Sequence, residues 1–542
     1  VTGRAAAAAL GFFAALAVVH TWPLASAPAT LSRNDNGDTQ LNEWIVSWIA
    51  HRLPREPLAL FDANIFHPEP RTLAFSEPLL VPALVGAPIR WLGGSPVLTY
   101  NLLLLFGFAL AGWAGYCAAV MLTGDRPAGL LAGSLIAFNA QTLTRLPHLQ
   151  AHWAFGMPLA LVLLDRLIAS PRRRTALLLG ACVALLALTS GYWGALAAVA
   201  LATAALARAG ECWRARRSLA PQLLLAGAVA LSLALPPLLP YWRAHREQGL
   251  TRTPAETAAF ASRPENYLST PARIHYATWS RGFFASSGGS YFPGVLALAL
   301  AAAALARGAL RSGRGRALAL VGGIGFLLSL GPATPLYALL QYAFPPMRGL
   351  RDPSRFGYLA LLAISLLAAL GLAEIRRRLA PARAFALSAA AVALANVEAL
   401  CAPLSLVRFG GFSPVYARMA ADPGPTVLAE FPLYPAAEIY RNASYVLAST
   451  QHWRPLVNGY SGFTPPSYAR RAEILRDFPD AAALAELRAL SVTHVVVHYG
   501  RYRDARAAAI RRRLQEHAAF TLVATGEGGE VLYRFAPAEP PS

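Results

Sequence analysis

Runs of about twenty apolar residues recur from Ala5 to about Pro403, and this pattern constrains the fold more than any other feature of the chain. A helix of that length spans the hydrocarbon core of a bilayer. The runs are too many and too long for one soluble core. Spans are expected at about 97–122, 127–143, 153–169, 174–190, 192–208, 221–240, 290–306, 317–332, 355–375 and 383–404. With a first helix from Ala5 to Leu24 they make eleven crossings. Composition agrees: charged residues are 14% of the chain and mean hydropathy is +0.41, where soluble domains carry about 25% charge. The first segment follows Arg4 and ends near the small residues Ala25–Ala27, so it also has the outline of a signal peptide. Because further spans follow, a retained helix is expected.

Orientation comes from arginine. All 48 basic residues are Arg, with no Lys. Many lie in short loops: Arg172–Arg174, Arg208 with Arg214, Arg216 and Arg217, Arg307 to Arg316, and Arg376–Arg378 with Arg383. This is the positive-inside pattern. The net charge of +20 is therefore read as topology, and nucleic acid is excluded as a partner. The N-terminus is then cytoplasmic, while loops 25–77, 144–152, 242–289 and 333–354 and the C-terminal domain lie outside. Residues 78–94 resist the scheme, because Pro78, Pro82, Gly86, Pro88, Gly93 and Gly94 interrupt an apolar run. A full crossing there would invert the charge bias of the loops on one side of it. A broken or re-entrant helix buried in protein is expected instead, with a twelfth crossing as the alternative.

The four cysteines lie in or beside apolar segments, apart from Cys212 in a basic loop, so neither a disulfide framework nor a CxxC metal site is implied. Without Lys there is no Schiff-base or phosphate-loop lysine. From about Ser405 the character changes. Val427–Phe431 and His494–His498 read as buried strands, and Ala481–Leu490 and Arg503–His517 as helices. Thr521–Ala524 and Val531–Phe535 read as a hairpin around Gly526–Gly529. The expected organisation is a transmembrane domain over 1–404 and an extracytoplasmic α/β domain over 405–542. No GxGxxG, Walker A or GxSxG motif is present in the latter, so it reads as an accessory or substrate-binding domain. No internal repeat is visible, which weighs against transporters built from duplicated halves.

Candidate chemistry gathers in the loops assigned outside. Asp35, Asp38 and Glu43 lie within nine residues, directly after the first span. The stretch Gln40 to Leu53 is amphipathic, with Leu41, Trp44, Ile45, Trp48 and Ile49 on one side, and is expected to lie along the membrane interface. A carboxylate held there can take a proton from a hydroxyl as a general base. Alternatively, Asp35 and Asp38 cap the interfacial helix. Arg348, Arg351 and Arg355 suit a phosphate leaving group, or anchor phospholipid headgroups. His148 and His152 would share a helix face and ligate a metal or bind phosphate, unless they are structural. Loop 242–289, with Arg243, His245, Arg246, Glu247, Glu265 and Tyr267, is a candidate for acceptor contacts. The Asp35-Asn36-Gly37-Asp38 run imitates part of a calcium loop without its twelve-residue pattern.

The layout of one N-terminal span, a large outer loop opening with an acidic motif, many further spans and an outer C-terminal domain resembles the GT-C superfamily. These are membrane glycosyltransferases that use polyprenyl-phosphate-linked sugars, such as protein mannosyltransferases and aminoarabinose transferases. The segments GDTQLNEW, YNLLLLFGFALAGWAGY, LPHLQAHW, LRDPSRFGYLALL and HWRPLVNGYSGF are similar to a group of bacterial YfhO-like or glycosyltransferase-like membrane proteins. The resemblance implies a polytopic α-helical membrane protein of about 11–12 transmembrane helices in a bacterial inner membrane. It implies transfer of a sugar, with inversion, from a polyprenyl-phosphate donor to a cell-envelope glycan, lipid or protein. Asp38 best matches the family's catalytic carboxylate, with Asp35 second. Arg351 and Arg355, with Arg348, are the candidates for the donor phosphate. His148, His152 and Glu43 are candidates for substrate or metal. Some members hold a divalent cation, Mg²⁺ or Mn²⁺, through a second acidic motif in a later loop. No DxD or DxE stands there, so metal dependence is open. The competing readings are a transporter or flippase of an envelope glycolipid, and a non-catalytic envelope assembly protein.

Overall fold

A computed structural model describes residues 2–249, 252–284 and 289–536 of the chain. The expected outer loop 242–289 includes 250–251 and 285–288, which lie outside the described residues, as do 537–542 of the C-terminal segment. The chain forms two compact units, each discontinuous in sequence. The first comprises the described parts of Val1–Pro28, Asn101–Leu239 and Leu250–Leu406; the second comprises Ala29–Tyr100, Pro240–Gly249 and the described part of Val407–Ser542. The sequence reading counted loop 25–77 with the transmembrane domain, whereas most of it groups here with the C-terminal residues.

In the first unit each expected span coincides with helix. Among the described residues six helices are long and apolar enough to cross a membrane: Gly3–His20, Pro96–Thr123, Leu149–Ala169, Arg216–Gln248, Pro353–Arg376 and Pro381–Ala399. The other expected spans are met by shorter segments: Arg126–Ala137 with Ala140–Thr144, Arg173–Thr189, Gly191–Leu206, Val295–Ala306 and Gly313–Ser329. Their breaks have local causes. Asn139 caps the Ala140–Thr144 helix through Thr142 N–H, and Ser190 caps Gly191–Leu206 through Tyr192 N–H.

Ion pairs sort the helix ends into two sets. At one, Asp165 accepts from Arg208 (2.6 Å) and from Arg314 (3.0 Å), while Arg376 reaches Asp125 (2.9 Å). These basic residues come from the clusters that set the expected topology. At the other set, Arg145, Tyr192 and Asp352 meet, from loops expected on the opposite side.

Helix Gly357–Arg376 is buried along most of its length and packs against Val295–Ala306, Gly313–Ser329 and Arg126–Ala137. Gly371 lets this happen: a Cβ there would collide with the Leu300 carbonyl. Helix Arg216–Gln248 instead leaves Leu224, Leu231, Leu233 and Leu235 exposed, as a helix solvated by lipid does. It continues to Gln248, beyond the expected end at 240.

The second unit is an α/β structure. Two-residue strands β1 (Leu31–Ser32) and β2 (Val407–Arg408) pair antiparallel and tie the first loop to the C-terminal segment. Strands β3 (Leu428–Phe431), β4 (His494–His498), β5 (Phe520–Thr525) and β6 (Glu530–Phe535) form a sheet of order β3-β4-β6-β5. β3 and β4 are parallel, and the others antiparallel. The expected strands, the hairpin and the helices Ala481–Ala489 and Asp504–Glu516 are all present. Glu430, fully buried on β3, accepts from the Tyr416 hydroxyl (2.8 Å) and contacts His498 Nε2 (2.7 Å), which pins β3 to the end of β4. The first loop joins the same framework through backbone bonds. Leu456 N–H donates to Asn64, Phe66 N–H to Asn458 and His67 N–H to Leu456.

Two expectations change here. Helix Gly37–Arg52 is buried on every side from Leu41 to Ala50, including Asn42, Glu43 and Ser47. It is a core helix of the second unit and not an interfacial one. It packs on Leu80–Trp91 and Ala443–Ala448, which cover the faces expected to meet water and lipid. The troublesome 78–94 segment is one 12-residue helix, Leu80–Trp91, with Pro88 inside. At 1.5 Å per residue it is about 18 Å long, too short for a crossing of about 30 Å. Nor is it wholly buried, since Leu84, Val85, Trp91 and Leu92 are exposed.

Candidate active site

The acidic loop lies in the second unit, and its three carboxylates have three different environments. Asn36 caps helix 37–52, its side chain accepting from Asp38 N–H (2.8 Å). The capping role weighed for Asp35 and Asp38 therefore falls to their neighbour. Asp38 stands in the first turn, where the helix dipole favours a negative charge. It is half-buried, and the Tyr460 hydroxyl donates to its Oδ1 (2.7 Å). Asp35 is exposed and paired with Arg33 (3.1 Å). Glu43 is fully buried and accepts from Asn34 Nδ2 (2.9 Å) and the Ser32 hydroxyl (3.3 Å). Burial pushes its carboxyl up to about 8, against the pull of these two neutral donors. At neutral pH it is largely protonated and folds the loop back over helix 37–52.

Asp35 and Gln40 line a cleft of about 390 Å³ together with Tyr434, Tyr440, Arg441 and Arg501. Arg441 lies over the Tyr434 ring (5.5 Å), and Arg501 over Tyr445 (4.6 Å). Such a surface offers aromatic faces to sugar rings and guanidinium groups to hydroxyls or anions.

The arginine loop lies in the first unit. Asp352 is buried and accepts from Arg145 (3.1 Å) and Arg355 (3.3 Å), and from the Ser354 hydroxyl. Burial opposes its charge, but Arg145 and Arg355 outweigh that and hold the carboxyl at about 2. The Tyr192 hydroxyl accepts from the backbone N–H groups of Arg351 (2.8 Å) and Asp352 (2.9 Å). The Arg355 guanidinium lies 3.9 Å from the centre of the Tyr192 ring, and that of Arg351 lies 4.7 Å from the Phe260 ring. Arg252, paired with Glu256 (2.8 Å), is close enough to Arg351 to repel it. Four arginines against two carboxylates leave the cluster positive, as an anion site requires. Arg348 is apart from this network, its Nε donating to the Gln341 carbonyl (3.2 Å).

His152 ends the four-residue helix Leu149–His152, and His148 precedes it. His152 is buried against Phe108 (4.4 Å), with Nε2 3.2 Å from the Arg145 carbonyl, and so braces the loop that carries Arg145. Among the described residues no three His, Cys, Asp or Glu side chains gather in a group that could hold a metal.

Sequence reasoning missed Arg145, Tyr192, Arg252 and Tyr460. Tyr460 and Asp352 sit inside motifs singled out for their likeness to the family, and Arg145 stands one residue before another. Arg145 and Arg252 stand outside those motifs, and the hydroxyls of Tyr192 and Tyr460 carry no charge to mark them in the sequence.

No protein-family model and no curated protein matches the sequence. Solved structures do. The mycobacterial arabinofuranosyltransferase AftD aligns with 99% of this chain and 40% of its own, at 17% identity and a TM-score of 0.62. The oligosaccharyltransferase AglB from Archaeoglobus fulgidus, in complex with an inhibitory peptide and a dolichol-phosphate, aligns over 99% of this chain and 75% of its own (13% identity, TM-score 0.53). ArnT from Cupriavidus metallidurans, bound to undecaprenyl phosphate, aligns over 98% and 99% (15% identity, TM-score 0.52). This chain thus spans two fifths of AftD and nearly all of ArnT. All three are GT-C membrane proteins, and the likeness establishes the same fold for this chain. It does not bear on the narrower likeness to YfhO-like proteins.

Proposed function

From the GT-C fold as premise, we propose that this chain transfers a sugar from a polyprenyl-phosphate donor to a cell-envelope acceptor on the outer face of a bacterial cytoplasmic membrane. Two neighbours of the same fold were solved with polyprenyl phosphates, one dolichol-linked and one undecaprenyl-linked. In the second unit Asp38 is the general base. It takes the proton of an acceptor hydroxyl as that oxygen bonds to the anomeric carbon. The bond from the anomeric carbon to the phosphate oxygen breaks on the opposite side, and polyprenyl phosphate leaves with the electron pair. The product is inverted. In the first unit Arg351 and Arg355 bind phosphate, held in place by Tyr192 and Asp352.

The observation that carries this reading is the sorting of the three loop carboxylates. Asp38 is the one that combines partial exposure, a helix N-terminus and an orienting hydroxyl. Glu43 is sealed and Asp35 is tied to Arg33. The cleft beside Asp35 is the candidate acceptor site. The distribution of charge favours a transferase over a transporter. Every charged residue in the described apolar helices of the first unit lies within five residues of a helix end, whereas a transport pathway places charge near mid-membrane.

The test is sugar transfer by the purified protein in lipid with a panel of polyprenyl-phosphate sugars, comparing wild type with Asp38→Asn. Asparagine keeps the size and accepts from Tyr460, but it cannot take the proton. A loss of about 10²-fold or more, with folding and donor binding retained, supports the mechanism. An unchanged rate moves the base elsewhere, starting with Asp35. No transfer by either protein turns the reading toward transport or assembly.

A further inference from the structure

At the far end of helix 37–52 lies a cleft of about 570 Å³ lined by His51, Arg55, Arg90, Trp91 and Trp453. Thirteen residues of helix separate His51 from Asp38, about 20 Å along the axis, so this cleft is distinct from the acidic loop.

Its charge is uncompensated. Arg52 is paired with Glu56 (2.7 Å), but among the described residues no carboxylate pairs with Arg55 or Arg90. Arg55 donates to the His51 carbonyl (2.7 Å), an ordinary way to satisfy a helix C-terminus. Arg90, in the last turn of helix Leu80–Trp91, likewise donates to the Gly94 carbonyl, but its buried Nε has no hydrogen-bond partner. Burial, with Arg55, Arg52 and Arg90 nearby, lowers the His51 ring to about 4 and keeps it neutral.

The aromatic wall is strained. Trp453 holds a left-handed backbone, φ +56°, which is rare for a bulky residue and costs about 1–3 kcal/mol. In that conformation its ring stacks on His51 (4.3 Å) beside Trp48 (5.9 Å). Trp91 is anchored by its indole N–H on the Ala50 carbonyl (2.8 Å), with much of the ring exposed. The helix carrying Arg90 and Trp91 also exposes Leu84, Val85 and Leu92. Exposed apolar residues beside tryptophan and arginine are the composition of a membrane interface.

We infer that this cleft is a second anion site, which takes the phosphate of an anionic lipid headgroup between Arg55 and Arg90 and packs the headgroup against Trp453 and Trp91. The site does not depend on Asp38 or on sugar transfer.

Native mass spectrometry of the full chain in detergent tests it. The ligands are short-chain phosphatidylglycerol, short-chain phosphatidylcholine and glycerol 3-phosphate. Phosphatidylglycerol should bind more tightly than phosphatidylcholine. Arg55→Gln and Arg90→Gln should each weaken it about fivefold, and the double variant about 25-fold. Arg55 is exposed, so its single substitution leaves the fold intact and stands as evidence by itself. Equal binding of the two lipids, or a double variant with wild-type affinity, overturns the proposal. Glycerol 3-phosphate binding as tightly as the lipid, with the same loss in the variants, keeps the phosphate site but overturns lipid as its source.

Discussion

Glu43 in the acidic loop and Asp352 in the arginine loop are both buried carboxylates, and they sit at opposite ends of the titration scale. Glu43 meets only neutral donors, and burial drives its carboxyl up to about 8. Asp352 is as deeply buried, yet Arg145 and Arg355 hold it at about 2. Burial alone therefore does not set the charge of these loops; the charge of the partner does. A neutral Glu43 works as a hydrogen-bonded clasp, and an ionised Asp352 as the counter-charge that assembles a positive cluster.

Asp352→Asn should have the largest effect on stability. It leaves two nearly buried guanidinium groups facing a neutral amide, at a cost of about 3–5 kcal/mol. A melting temperature in detergent close to wild type would break the contrast, because Asp352 would then matter no more than a neutral clasp. The pH dependence of the two groups has opposite sign. For Asp352 the folded pKa is depressed, so its contribution is present above the ordinary carboxylate value and is lost as pH falls toward about 2. For Glu43 the folded pKa is raised, so stability is full below the ordinary value and falls as pH climbs toward about 8. Melting curves of wild type and Glu43→Gln between pH 5 and about 8 should converge at the acid end, and the wild type should lose ground at the alkaline end. Parallel curves would mean that Glu43 is ionised throughout.

Tyr460→Phe removes one hydrogen bond to Asp38 and should cost about 1 kcal/mol. Under the proposed mechanism its larger signature is kinetic: transfer should slow about tenfold while donor binding is unchanged, since an unoriented base would misplace the reacting oxygen. Asp35→Asn closes the series. Its pair with Arg33 is exposed, and melting should move by less than about 0.5 kcal/mol.

The membrane architecture was legible because bilayer thickness writes itself into sequence as length. All eleven spans have helical counterparts, and Arg208, Arg314 and Arg376, one from each of three basic clusters, pair with Asp165 and Asp125 at helix ends. Strands β3 to β6 were legible through β-branched and aromatic runs between turns. Helix 37–52 was misjudged because periodicity reports which side is most apolar, not whether polar residues on the other side find buried partners. Ser47, for example, donates to the Glu43 carbonyl and is covered. The site was only half legible. Charged residues announce themselves locally, but Tyr460 and Asp38 are separated by 422 positions, and no local pattern links them.

That separation sets an order of events during synthesis. The second unit is assembled from three stretches, and the hydroxyl that orients Asp38 belongs to the third. At about 5–20 residues per second, the carboxylate emerges on the order of a minute before its partner is made. Until then the loop must wait beside the membrane with its framework unfinished. A nascent chain that stalls in the helical region would carry the acidic motif but not the means of aiming it.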